Sequence, residues 1–341
     1  MPHPAVRELF ERMLHSFVPE NAFDFHAHFY VGGETTSGTQ GLAETRLGIK
    51  EYRRLMSAWM GDRAPSDGLF FPYPSSEMNV DLANDYALNE VNGAPHSRGL
   101  LLVAPGDDES VVTARIDQAG GMLAGFKVYH LFANQLNTMD APVEAFLPEL
   151  CWELADNRGL QIMLHLVRAR ALADPHNQRY IREHCRRYSN ARLILAHAGR
   201  GFCSVHTLEG LPSIRGLGNV YFDTSAVCEP TAMLAVLQQF GPERLLFGAD
   251  FPVCNFSGRC SSWGDSFRWL DESLSASIGE DCANPTIVGL ESLLAVMQAC
   301  RLAHLSDADV ERIFRTNAEQ ILRLNEQPTI ARPLGTAGRY N

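Results

Sequence analysis

Short runs of aliphatic and β-branched residues alternate along the chain with longer stretches whose apolar positions recur every three to four residues. This is the pattern of repeated βα units and a parallel sheet rather than of a sandwich. Eight strand-like runs are centred on residues 23–28, 69–73, 99–103, 125–129, 161–166, 192–197, 220–224 and 245–250. Helices are predicted between them at 47–60, 77–92, 109–120, 142–158, 177–188, 206–216 and 230–240. Eight alternations predict a closed (β/α)8 barrel, the TIM-barrel fold, occupying about residues 20–325 of a single domain that spans 1–341. Two further helices are expected at 286–303 and 306–324, the second opened by Ser306 with Asp309 three residues on, a carboxylate form of the capping box.

Two segments break the rhythm: VGGETTSGTQG at 31–41 and NFSGRCSSWGD at 255–265, both rich in Gly, Ser and Thr and both directly following a strand. In a barrel such loops lie over the mouth, where active sites of this fold occur. The spacing predicts that they, with Tyr73, Phe256 and Trp263, shape a pocket.

Composition narrows the partners. A 341-residue chain with 45% hydrophobic and 20% charged residues can bury a large core. A formal charge of −11 without any basic run argues against nucleic acid, whose affinity comes from clustered Lys and Arg. The eight scattered cysteines include no CxxC pair and read as reduced thiols, which favours the cytoplasm. The charged, helically spaced start lacks the apolar core of a secretory signal, and no run is long and apolar enough to span a bilayer. The expected partner is a small molecule, with a homo-oligomer such as a dimer as the default assembly.

The chemistry sits at strand ends. In FDFHAH, alternation puts Asp24, His26 and His28 on one face and Phe23, Phe25 and Ala27 on the other, so two imidazoles point into the barrel where both can reach one divalent ion. His165 closes the fifth run, His197 the sixth and Asp250 the eighth, so four strands aim metal-capable groups at one rim. Lys127 falls on the barrel side of the fourth run with Gly125 and Tyr129. It either pairs with a substrate carboxylate or makes a structural ion pair. Arg168 and Arg200 each follow a strand-end histidine by three residues and either clamp an anionic substrate or serve as a solvent-facing arginine or a helix-cap ion pair. Asp223 and Ser225 either orient a ligand histidine or serve the fold, and Asp24 either does the same or belongs to the barrel floor.

FDFHAH, GFKVYH, LHL, LAHAG, VYFDTSA, LLFGADFP and ERIFRTNAEQIL together resemble the amidohydrolase superfamily from about Phe23 to Leu324, especially the branch of amidohydrolase-related proteins that contains aminocarboxymuconate-semialdehyde decarboxylase. The resemblance implies one divalent metal, usually zinc with manganese as the alternative, ligated by His26, His28, His165 and Asp250, with His197 beside the reacting water or substrate. Such a metal lowers the pKa of water from 15.7 towards ~7. Asp250 would be both ligand and proton carrier, and His197 the competing base or a carbonyl polariser. A binuclear variant, with a carbamylated Lys127 bridging two ions and His165 and His197 on the second, is the alternative within the superfamily. His130 follows Lys127 by three residues rather than the branch's two and is not assigned as a ligand.

Three functions follow. The first is hydrolysis of an ester, lactone or amide in a small carboxylated substrate, and the second is nonoxidative decarboxylation of an unsaturated or aromatic acid. The third is a noncatalytic metal-binding barrel, which the retention of His26, His28, His165, His197 and Asp250 together argues against.

Overall fold

The computed structural model describes residues 3–31, 46–271 and 286–324. The loop expected at 31–41, beyond Val31, and the tail after 324 lie outside them.

All eight expected strands form: β1 Phe23–Phe29, β2 Asp67–Pro72, β3 Arg98–Leu102, β4 Leu123–Val128, β5 Gln161–Leu164, β6 Arg192–Leu195, β7 Val220–Asp223 and β8 Leu245–Leu246. They pair in parallel in sequence order, with helices between them. β8 is short, yet the segment after it closes the ring on β1: Phe25 N donates to Phe247 O (2.8 Å), Asp250 N to His26 O (2.8 Å) and His28 N to Phe251 O (2.7 Å). The result is a (β/α)8 barrel, and its closing seam sets Asp250 beside the two histidines of β1.

The alternation expected for β1 is corrected. Asp24 pairs with Gly68 but Ala27 pairs with Phe70, so β1 carries one more residue than β2 across this interval. Such a bulge moves every later side chain to the opposite face. Phe23 and Phe25 therefore join Leu69, Phe71, Met163 and Leu246 inside the barrel, in a layer to which seven strands contribute. His26 and His28 also point inward above that layer, whereas Asp24 turns outward to accept a hydrogen bond from Tyr52 Oη at 2.9 Å. A second bulge lies in β4, where Gly99 pairs with Leu123 and Leu100 with Gly125, leaving Ala124 unmatched. Gly125 has φ +153° there, and a Cβ on it would lie 1.9 Å from Gln161 O, so only glycine fits. It leaves Ala124 in the interior layer while Lys127 and Tyr129 also face the barrel axis.

Ala318, Ile321 and Leu322 of the helix Asn317–Leu322 close the floor of this layer. Ser306 and Asp309 form the expected capping box. The helix expected at 306–324 is interrupted by a wider turn, Arg312–Thr316, with the five-residue repeat of a π-helix. Ile313 O accepts from Phe247 N at 2.9 Å, tying this turn to the barrel just after β8.

The segment expected as a plain loop at 255–265 starts an antiparallel hairpin, β9 Arg259–Ser262 and β10 Phe267–Leu270, which stands over the barrel mouth. No helix among the described residues is long and apolar enough to cross a membrane.

Candidate metal centre and active site

His26 and His28 lie on β1 beside the closing seam, and the hydrogen bonds of their rings settle which nitrogens are free. His28 Nδ1 is 3.1 Å from Pro72 O, a carbonyl that only accepts, so Nδ1 carries the proton. His26 Nδ1 faces Asp223 Oδ2 at 3.0 Å and is protonated for the same reason. Burial pushes the His26 pKa down to about 3 and lowers that of His28 as well, so both rings are neutral. Their Nε2 lone pairs then point at Asp250 Oδ1, 3.5 Å from His26 and 3.3 Å from His28. Burial raises the pKa of Asp250, but its contacts with His28, His26 and His197 outweigh that and hold the carboxyl below its usual range. Three buried lone-pair donors thus converge with no proton between them, which is unfavourable unless a cation sits there. Ligands at about 2.0–2.1 Å from a tetrahedral zinc would be separated by about 3.3–3.4 Å, so the spacing fits such an ion.

His165 stands beside this trio rather than within it. The ligand atoms of His26, His28 and Asp250 all lie within 4.8 Å of one another, a set that does not include His165. His165 Nδ1 is instead 3.1 Å from His197 Nε2. His197 Nδ1 is 2.9 Å from Ser225 O, a carbonyl that only accepts, so Nδ1 carries a proton; with Nε2 as acceptor, His165 donates from Nδ1. The lone pair of His165 is then on Nε2, on the far side of its ring. His165 and His197 both line the cavity.

Asp223 organises the centre from β7. Besides His26 it accepts from His197 N (2.9 Å) and Ser225 N (3.1 Å), and Ser225 Oγ also donates to it. This anchoring holds a backbone that the sequence does not announce: β6 stops at Leu195, and His197, Ala198, Gly199 and Arg200 all have positive φ, between 51° and 73°. Each non-glycine residue in that region costs roughly 1–2 kcal/mol. Asp250, at φ +61°, is held similarly by its own backbone bond to His26. His197 and Asp250 therefore lie beyond the ends of β6 and β8 rather than within them.

The centre opens into a cavity of about 460 Å³ walled by Tyr73, Tyr129, Phe202, Phe256, Phe267 and Trp269. Arg200 lines it, is 7% exposed, and donates from Nη1 to Arg168 O at 2.9 Å. Among the described residues no carboxylate lies within 4 Å of its guanidinium, whose pKa burial lowers. Arg168 contributes that carbonyl, but its side chain is turned to Asp174, with Nε 3.0 Å from Oδ2, and does not reach the cavity wall. Lys127 is fully buried beneath the centre and does not line the cavity. Its Nζ lies 5.0 Å from the centroid of Phe71 and 5.7 Å from that of Tyr129, without a hydrogen-bond partner among the described residues. Burial lowers its pKa to about 8 against the pull of Asp223 and Asp250. His130 bonds Thr138 Oγ1 at 2.9 Å.

Tyr73 and Phe256 shape the pocket as expected, whereas Trp263 sits 69% exposed at the hairpin turn. Sequence reasoning missed Phe202, Phe267 and Trp269. The alternation Phe267-x-Trp269 was the available signal for the latter two.

The amidohydrolase family model matches residues 23–324. The chain belongs to the amidohydrolase family. No curated protein matches its sequence. Among solved structures, an amidohydrolase from Burkholderia multivorans with bound zinc is similar at 16% identity and TM-score 0.61, covering 89% of this chain and 99% of that one. A Pseudomonas putida protein assigned as a 2-pyrone-4,6-dicarboxylic acid hydrolase is similar at 14% identity and TM-score 0.57, covering 90% and 99%. A 2,6-dihydroxybenzoate decarboxylase from Rhizobium has the same identity, TM-score and coverage. Hydrolysis and decarboxylation thus both occur on this fold, and at these identities the likeness extends to the fold alone.

Proposed function

We propose that this amidohydrolase hydrolyses an ester, lactone or amide bond in a small carboxylated molecule, using one divalent metal, most simply zinc. The observation that carries the reading is the convergence of His26 Nε2, His28 Nε2 and Asp250 Oδ1 at the base of a cavity that also presents Arg200. The bound ion would supply Lewis acidity and ease the deprotonation of water near neutral pH. His26, His28 and Asp250 would hold it, with His165 as the fourth ligand through the Nε2 that its bond to His197 leaves free.

The protein's own groups do the rest. Asp250 has a second carboxylate oxygen to take the proton of the attacking water and return it to the leaving atom. Arg200 holds the substrate carboxylate, for which a buried guanidinium without an anionic neighbour among the described residues is suited. The aromatic walls exclude bulk water and strengthen both interactions. His197, with Nδ1 on Ser225 O and Nε2 on His165, orients His165.

Decarboxylation of an aromatic acid is the second reading, favoured by the aromatic lining of the cavity. A panel of carboxylated lactones, esters, amides and aryl acids, assayed with the metal-loaded protein in H₂¹⁸O, tests both. Label in the product carboxyl supports hydrolysis, and CO₂ release with no label in the organic product supports the lyase. Inactivity across the panel, with metal bound, counts against both.

A further inference from the structure

One wall of the cavity takes no part in metal binding or proton transfer. On β10, Phe267 and Trp269 are two residues apart and both reach the cavity. Each packs against Phe202, with ring centroids 5.1 Å away for Phe267 and 5.3 Å for Trp269, and Phe202 lies 5.1 Å from His197. The rings meet at 54° and 63°, so the cavity is offered both faces and edges. Phe202 is buried, but Trp269 remains 44% exposed. The Arg200 guanidinium lies 5.2 Å from the Phe267 centroid, so the buried cation and the aromatic cluster share a side chain.

The hairpin that carries this wall is tied down on several sides. At its turn, Asp265 takes His206 Nε2 at 3.0 Å and Arg170 Nε at 3.2 Å. Along β9, Ser262 N donates to Glu229 Oε1 at 3.0 Å, and Arg259 bridges Glu291 (3.1 Å) and Cys228 O (3.1 Å). A wall held in this way presents its rings already in position, which lowers the ordering cost of binding. A half-exposed indole, two phenyl rings and a cation without a carboxylate partner among the described residues together complement a molecule with a flat π-system at one end and an anion at the other.

We propose that the β9–β10 hairpin is the specificity element of this active site. Phe202, Phe267 and Trp269 form a box that selects a flat, conjugated portion of the substrate while Arg200 holds its carboxylate. The inference rests on the reading of the cavity as an anion-accepting active site.

Equilibrium binding tests it without turnover, using benzoate, cyclohexanecarboxylate and acetate titrated calorimetrically into the purified protein. Benzoate and cyclohexanecarboxylate share their charge and differ in flatness, and the saturated ring is the more hydrophobic, so burial alone would favour it. The expected result is benzoate binding about fivefold or more tighter than cyclohexanecarboxylate. Trp269→Ala and Trp269→Leu should both abolish that preference and leave acetate affinity unchanged, whereas Arg200→Met should weaken all three ligands. Equal affinity of the two ring acids for the unaltered protein overturns the box, as does a preference that survives both Trp269 variants. If acetate binds while the ring acids show no preference, the box fails and the anion-accepting reading stands. If no carboxylate binds, both fall.

Discussion

His26 Nδ1 donates to Asp223 Oδ2 at 3.0 Å, across the barrel interior from β1 to β7. That bond fixes the His26 tautomer and turns Nε2 toward Asp250. Removing the acceptor charge should free the ring and lower ligand basicity. Asp223→Asn is therefore expected to weaken metal binding about 10–100-fold. Competition with a chelator measures it, and a far-UV spectrum like that of the unaltered protein shows that the barrel persists. Undiminished affinity would remove Asp223 from any role at the centre.

Asp250 has the backbone conformation that asparagine tolerates best among non-glycine residues, φ +61°, so Asp250→Asn should fold normally. Losing the proton acceptor should still lower kcat by about 10²–10⁴-fold. Steady-state kinetics on whichever substrate the panel identifies provides the check, and near-normal turnover would refute the assignment.

Lys127 links stability to pH. In the unfolded chain its ammonium titrates near 10.5, and burial brings it to about 8 in the folded one. Between those values the unfolded state binds more protons, so stability rises with pH. The penalty is complete below pH 8 and is relieved above 10.5. The depression corresponds to a cost on the order of 3 kcal/mol. In the metal-stripped protein Lys127→Met should unfold at higher denaturant than the unaltered protein at pH 7, with the difference shrinking as pH passes 8 toward 10.5. A pH-independent difference would mean that packing, not charge, sets the effect.

Arg200→Met should raise KM for a carboxylated substrate at least about tenfold and affect an uncharged analogue much less. Arg168→Met, whose side chain engages Asp174 rather than the cavity, should leave KM nearly unchanged. If the two variants behave alike, Arg200 has no special claim on the carboxylate.

Metal stoichiometry separates one ion from two. About one equivalent per chain is expected, lost in His26→Ala and weakened in His165→Ala, as elemental analysis would show. Two equivalents, one of them lost in Lys127→Met, would favour the carbamylated bridge.

Much of this protein is legible in its sequence because a βα repeat writes its period into the chain. All eight strands, Ser306 with Asp309, and the polar groups at the barrel rim follow from local pattern. What tertiary structure decided are relationships between distant residues. The bulge in β1 depends on pairing with β2, and it places Phe25 and His26 on the same side of the sheet against the alternation of the sequence. The left-handed turn at His197 persists because Asp223, on another strand, accepts its backbone hydrogen bond. Arg168 and Arg200 look equivalent in the sequence. They diverge because Asp174 is within reach of one and not the other, while the hairpin that follows β8 lays Phe267 under Arg200. Local periodicity records which face a residue prefers. Which groups meet depends on how the sheet closes, and closure is a property of the whole ring.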